Sequence, residues 1–229
     1  MSSRPGKTLL LLIFSLASFL VPYTVSSLNV ALPAIGSDFS LDAVSLGWVT
    51  TAYILVAAVC MLPFGRFADI YGRKRVFLVG NLLFALGSLL AALSWSGQVI
   101  IVARIIQGLG GAMVFSTSMA IVTVVFSSGE RGKAIGLITA AVYAGLSLGP
   151  VLGGFLTQLF GWPSIFLINI PIAVLVMLFT FMYLREEWID EGNAHFDSVG
   201  AVLYGCMVTG IMYGLTLLRT VGGNKCYET

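Results

Sequence analysis

Long apolar runs separated by short polar turns pattern the chain from end to end. Seven blocks can be drawn: Thr8 to Pro33, Val44 to Phe64, Val76 to Ala92, Val99 to Phe126, Ala134 to Phe160, Ile165 to Leu184 and Ser198 to Leu218. Each lies near the roughly 20 residues of helix that cross the hydrocarbon of a bilayer. Blocks three and four are parted only by "SWSGQ" (Ser94 to Gln98), and blocks five and six only by "GWPS" (Gly161 to Ser164). Both stretches break helices. The pattern predicts an all-α polytopic membrane protein.

Composition supports this, because 58% of the 229 residues are hydrophobic and 10% charged, more apolar surface than a soluble fold of this size can cover. The predicted organisation is a six-helix bundle over residues 1–184 and an acidic cytoplasmic linker over 185–197. A seventh membrane helix and an irregular tail fill 198–229. The first block follows Arg4 and Lys7, as the core of a cleaved leader would. Its apolar run is too long for a leader and no A-x-A site follows, so it reads as the first membrane helix. Cys60 and Cys206 lie in apolar blocks and Cys226 in the tail, with no metal-ligand spacing and no disulfide framework.

Charge orients the helices. With the N-terminus in the cytoplasm of a multi-pass cell-membrane protein, the inner segments hold Arg4, Lys7, Arg66, Arg73, Lys74, Arg75, Arg131, Lys133 and Arg185, and the outer loops between helices hold no Lys or Arg. This is the asymmetry of the positive-inside rule, and it leaves the C-terminus outside. Trp48, Trp95, Trp162 and Trp188 all fall at predicted helix ends, where indole prefers the headgroup region.

An internal repeat follows from two stretches. "GRFADIYGRKRVFL" (Gly65 to Leu78) aligns with "GFLTQLFGWPSIFL" (Gly154 to Leu167), matching Gly65 with Gly154, Gly72 with Gly161, and Phe77–Leu78 with Phe166–Leu167. Each copy joins the second and third helices of a triplet, one at the basic side and one at the uncharged side. The two triplets therefore run in opposite senses, the inverted three-plus-three arrangement of many transporters.

Four stretches carry candidate chemistry. In Gly65-Arg-Phe-Ala-Asp69-Ile-Tyr-Gly72-Arg73-Lys74, placed in the loop after the second helix, glycines permit a tight turn, and a carboxylate and a guanidinium stand close enough to pair. In Arg104-Ile-Ile-Gln107-Gly108-Leu-Gly110-Gly111-Ala112, Arg104 is the only charge placed inside a span. Leaving it unpaired there costs about 2.5 to 3.5 kcal/mol on the insertion scale. It heads a face of small residues continued by Gly108, Ala112, Ser116 and Ala120. Two readings stand for it: a functional charge facing a cavity or partner, or an arginine that snorkels to the interface.

In "YAGLSLGPVLGGF" (Tyr143 to Phe155), Gly145, Gly149 and Gly153 recur every fourth residue after Ala141. They form a groove for a neighbouring backbone, while Pro150 removes one helical hydrogen bond and introduces a bend that can serve as a hinge. Gly154 follows them. The fourth stretch is "LNVALP" (Leu28 to Pro33). On the same helix Ser15, Ser18, Ser26 and Asn29 fall roughly on one face, which reads either as a pathway lining or as interhelical hydrogen bonding.

With these four stretches on the expected helices, the chain resembles the N-terminal half of a major facilitator superfamily transporter, most like the branch of 14-helix drug:proton antiporters. The resemblance implies a cytoplasmic latch at Asp69 and Arg73. It also implies an antiporter motif, G-x-x-x-G-P-x-x-G-G, matched by Gly145, Gly149, Pro150, Gly153 and Gly154. It further implies efflux of drugs or other small molecules by alternating access, coupled to protons. Two departures bear on this: Ile70 stands where the family's loop has arginine, and Thr24 stands where the branch carries a membrane aspartate.

The rival readings are a non-transporting fragment or interaction module that needs a partner half, and a channel or membrane enzyme. The spans hold no cluster of His or carboxylates for an enzyme. Gly6-Lys7-Thr8 does not complete a phosphate loop, so an ATP-driven pump is not indicated. No cofactor, metal or nucleic acid is expected. The expected partners are the bilayer, an unidentified small molecule, protons, and a C-terminal half or second copy. His195 sits in the acidic stretch Arg185 to Asp197, read as a solvated linker.

Overall fold

The computed structural model describes residues 4–184 and 196–225. Among the described residues eight helices follow one another: α1 (Arg4–Phe39), α2 (Ala43–Tyr71), α3 (Arg73–Ala92), α4 (Gly97–Val125), α5 (Ser128–Phe160), α6 (Ser164–Leu167), α7 (Asn169–Tyr183) and α8 (Ser198–Lys225). The short α6 and α7 together form one span, so that among the described residues six helical segments are long and apolar enough to cross a membrane; the expected seventh is not one of them, its apolar helix being the shorter Ser198–Met212. The break at Ile168 has a local cause. Pro171 has no N–H to offer the carbonyl of Leu167, and its ring crowds that carbonyl.

Helices run beyond the apolar blocks. Hydropathy marks the part of a helix that needs lipid, whereas backbone pairing continues into the headgroup region until a residue stops it. α2 accordingly reaches Tyr71, so Asp69 sits on a helix rather than in a loop, and Gly72 alone makes the turn to α3 at φ 105°. α8 likewise continues to Lys225 through "TVGGNK", a stretch expected to be irregular, because no proline or cap ends it at Leu218. Asp42 caps α2 by accepting from the Ser45 N–H at 3.3 Å, and Ser96 caps α4.

Two pairs of parallel helices form the body of the bundle: α1 lies along α5, and α2 along α4. Exchanging the triplets (α1, α2, α3 for α4, α5, α6–α7) turns the first pair into the second. The same exchange relates two apolar cores. At the end carrying Lys7 and Arg73, the first half of α1, the start of α3 and the ends of α4 and α7 enclose Phe14, Phe77, Ile121 and Val176. At the opposite end, the last turns of α1, the first turns of α4, and α6 enclose Leu28, Ile35, Ile100 and Phe166. Phe77 and Phe166, matched in the sequence repeat, are both fully buried. Gly72 and Gly161, matched in the same way, are the glycines with positive φ among the described residues, at 105° and 79°.

Glycines set how closely the paired helices approach. A Cβ on Gly145 would stand 2.5 Å from the Phe19 carbonyl oxygen, and one on Gly153 would stand 2.7 Å from the Ser27 Cα. α8 packs on α2, where the Tyr204 hydroxyl donates to the Ala58 carbonyl at 3.2 Å. Trp48 and Trp95 are exposed at helix ends, as interfacial tryptophans are. Trp162 is not: its ring is packed inside, at 6% exposure. Trp188, His195 and Cys226 lie outside the described residues.

A Cβ on Gly149 would stand 2.6 Å from the Ser26 Cβ, whereas Leu148 is 47% exposed on another side of α5. Gly149→Leu is therefore expected to lose about 1 to 3 kcal/mol through overpacking, or to abolish folding, while Leu148→Ala stays within about 0.5 kcal/mol. Thermal unfolding followed by size-exclusion chromatography of the detergent-solubilised chain checks this. Equal losses in the two variants would contradict the packing argument.

Candidate functional site

Arg104 stands seven residues into α4, about 10 Å along the axis from its start. Its side chain is fully buried, so it does not snorkel. Nε donates to the Val49 carbonyl on α2 at 3.1 Å, and Nη1 donates to Gln107 Oε1 one turn further along α4. Gln107 Nε2 passes the chain on to Ser88 Oγ on α3 at 2.6 Å, and the Ser88 hydroxyl donates to the Phe84 carbonyl at 2.8 Å. The guanidinium lies over the Tyr53 ring, 4.1 Å from its centroid, and the Tyr53 hydroxyl reaches the Val21 carbonyl on α1 at 3.4 Å. One charged side chain thus ties α2, α3 and α4 together and reaches α1 through a ring.

The network contains no carboxylate. Its acceptors are neutral oxygens, its charge is stabilised by a π face, and Nη2 has no partner among the described residues. Thr24 lies one turn beyond Val21 on α1. Its Oγ1 accepts from Asn169 Nδ2 on α7 at 3.0 Å, and Asn169 Nδ2 also donates to the Ile165 carbonyl at 3.3 Å. Asn169 Oδ1 is buried without a partner. The position at which the family resemblance leads one to expect an aspartate is therefore a neutral cross-link between α1 and α7.

The small face below Arg104 seats α2. A Cβ on Gly108 would stand 2.8 Å from the Tyr53 carbonyl oxygen, and one on Gly65 would stand 3.8 Å from Ser116. At the basic end, Asp69 and Arg73 pair at 2.8 Å, and Arg73 Nη1 also donates to the Ala120 carbonyl of α4 at 3.0 Å. Lys74 lies over the Phe181 ring at 5.7 Å. A second contact there joins Lys7 of α1 to Glu130 of α5 at 2.8 Å.

In the α5 motif, Gly145, Gly149 and Gly153 face α1, whereas Gly154 makes ordinary contact with Val30 at 3.6 Å. The helix continues through Pro150. The four polar residues of α1 do not form one wall. Ser26 donates to the Leu146 carbonyl on α5 at 2.7 Å, Ser18 is buried with an unpartnered hydroxyl, Ser15 is half-buried and Asn29 is exposed. An apolar groove of about 730 Å³ opens between α2 and α8, lined by Val59, Ala201 and Gly205, and includes none of these residues.

Tyr53 and Ser88 take part in the Arg104 network, and Asn169 in the separate cross-link to Thr24, without having been singled out in the sequence. Tyr53 and Asn169 carried a usable signal, because a polar side chain inside a membrane block needs a partner. Ser88 carried none, since a lone serine can bond its own helix.

Six membrane-length helices arranged as two interlocked triplets define a polytopic membrane protein of the transporter type. The model of the Major Facilitator Superfamily matches residues 14–219, and the chain belongs to that family. It is 37% identical over 209 residues to the riboflavin transporter RibZ of Clostridioides difficile (strain 630), covering 91% of this chain and 46% of RibZ. It is 38% identical over 208 residues to the multidrug resistance protein Stp of Mycobacterium tuberculosis (strain CDC 1551 / Oshkosh), covering 90% of this chain and 38% of Stp. The chain therefore spans less than half the length of these curated relatives. A bacterial homologue of the human lysosomal transporter Spinster, in its inward-facing state, shares the fold with TM-score 0.72 at 22% identity, over 81% of this chain and 44% of that one.

Arg104→Lys is expected to destabilise the chain nearly as much as Arg104→Ala, by about 2 to 4 kcal/mol, because an ammonium cannot bond Val49 and Gln107 together while lying flat on Tyr53. Thermal unfolding of the three purified forms decides it. Wild-type stability in Arg104→Lys would show that charge alone matters there.

Proposed function

We propose that this chain forms the N-terminal half of a secondary active exporter of small organic molecules, working by alternating access in the cell membrane with its basic end in the cytoplasm. The observation that carries this reading is the Arg104 network: a fully buried charge held between helices of both triplets, in a family of transporters. Two relatives named for riboflavin transport and multidrug resistance support an organic cargo. Asp69, Arg73 and Lys74 act as the cytoplasmic latch, and the Gly145–Gly154 stretch with Pro150 as the packing and hinge motif of α5.

One bundle supplies one wall of a cargo site that lies between two halves near mid-membrane. The least buried spans, α5 and the part of α2 that α8 leaves open, offer faces for the second half, whether a C-terminal half or a second copy. Proton exchange for cargo is part of the proposal. With Thr24 bonded to Asn169, no carboxylate of this half stands at mid-membrane among the described residues, and the proton site falls to the other half.

Efflux from liposomes under an imposed pH gradient tests this, with riboflavin and several cationic dyes as cargo. A transporter completed with a second half should move at least one of them, and Arg104→Ala should reduce that movement at least about tenfold at equal membrane abundance. The 229-residue chain, verified as a monomer, should move none. Vectorial transport by the monomer, or full activity of the Arg104→Ala form, would overturn the reading.

A further inference from the structure

The buried Trp162 calls for an explanation. An indole needs a partner for its N–H when it leaves the interface, and Trp162 Nε1 donates to Asp38 Oδ2 at 2.6 Å. Its ring packs edge-on against Phe39 of α1 at 5.6 Å and Phe166 of α6 at 6.3 Å. The turn that presents it is fixed by Gly161 at φ 79° and by the Ser164 hydroxyl, which donates to the Gly161 carbonyl at 2.6 Å.

The inverted repeat gives this contact a counterpart. Gly161 corresponds to Gly72, and the residue after each glycine is Trp162 in one copy and Arg73 in the other. Arg73 reaches from the second-to-third helix turn of its triplet to Ala120, near the C-terminal end of α4. Trp162 reaches from the corresponding turn of the other triplet to Asp38, the penultimate residue of α1. Since α1 and α4 are the first helices of the two triplets, both contacts join the same pair of positions at opposite ends of the bundle. Their chemistry differs: at one end a guanidinium, also paired with Asp69, meets a carbonyl, and at the other an indole meets a carboxylate.

We propose that Trp162 and Asp38 form a second latch, which pins the two triplets together at the end opposite Arg73. With both latches closed the bundle moves as one body, and the opening that admits cargo falls between this bundle and the half packed on α2 and α5. Trp162 and Asp38 are thus positioning residues. Their purpose rests on the transporter reading, but the latch itself is tested without any transport measurement.

Hydrogen–deuterium exchange of the whole chain in lipid nanodiscs reads each end separately. Trp162→Phe keeps an aromatic ring and removes the donor; Asp38→Ala removes the acceptor from a polar end of α1. Each should speed exchange in peptides over 33–39 and 160–166 about three- to tenfold, the net loss expected for a hydrogen bond whose carboxylate is exposed on its other side. Peptides over 66–76 and 118–126 should be unchanged. The double variant should match the single ones, because either change already opens the bond. Asp38→Asn, whose amide oxygen still accepts, should keep most of the protection, and Arg73→Met should give the reverse pattern, with faster exchange at the basic end only. Unchanged exchange at 33–39 in Trp162→Phe, additive effects in the double variant, exchange rising equally at both ends, or Asp38→Asn behaving as Asp38→Ala would each overturn the latch.

Discussion

Lipid tails are as apolar as leucine, so helices inside a bilayer gain little from burying hydrophobic side chains against one another. What holds this bundle is backbone proximity along α1/α5, α2/α4 and α3/α4, the last through Gly80, Gly87 and Gly110. Gly145, Gly149 and Gly153 let α5 lie against α1, and Gly108 does the same for α4 against α2. A side chain larger than hydrogen at these points would meet backbone or Cβ atoms, which cannot move aside as a flexible chain end can. The polar contacts of Arg104 depend on that spacing. Arg104 can reach the Val49 carbonyl, and Tyr53 can sit beneath the guanidinium, because Gly108 brings α2 close enough.

Close packing also explains how a bare charge is tolerated. Arg104 is stabilised by carbonyl and amide oxygens and by a π face, in a setting where each is strengthened by the absence of water. Such a network has directional demands that an ion pair lacks. It is a structural brace as much as a charge, and it links the small-residue packing of α2 and α4 to α3 through Gln107 and Ser88.

Much of this architecture could be read from the chain. The first six apolar blocks located the six spans, and the glycine spacing on α5 and α4 identified faces that do meet α1 and α2. The match of Gly72 with Gly161 and of Phe77 with Phe166 anticipated positions with the same backbone conformation and the same burial. Helix ends were less legible, because the polar residues of the α2 terminus look like loop yet continue the helix to Tyr71. Partners of long side chains were not legible. Nothing in the spacing of Trp162 and Asp38, 124 positions apart, says that they meet, and a tryptophan at a helix end reads as an interfacial anchor on composition alone. The serines of α1 shared a face by angle, but neighbouring helices cover that face unevenly, and Ser26 is taken up by α5.

The Arg104 charge has one more property. It sits about 10 Å below the end of α4 with no carboxylate in its network. With α4 crossing the bilayer as its length and composition allow, a charge inside that span would feel part of the electric field across the membrane, which is worth about 2.3 kcal/mol per 100 mV for a full crossing. Any displacement of α4 along the membrane normal would therefore do electrical work, and the balance between the protein's conformations would shift with voltage even if the cargo were uncharged.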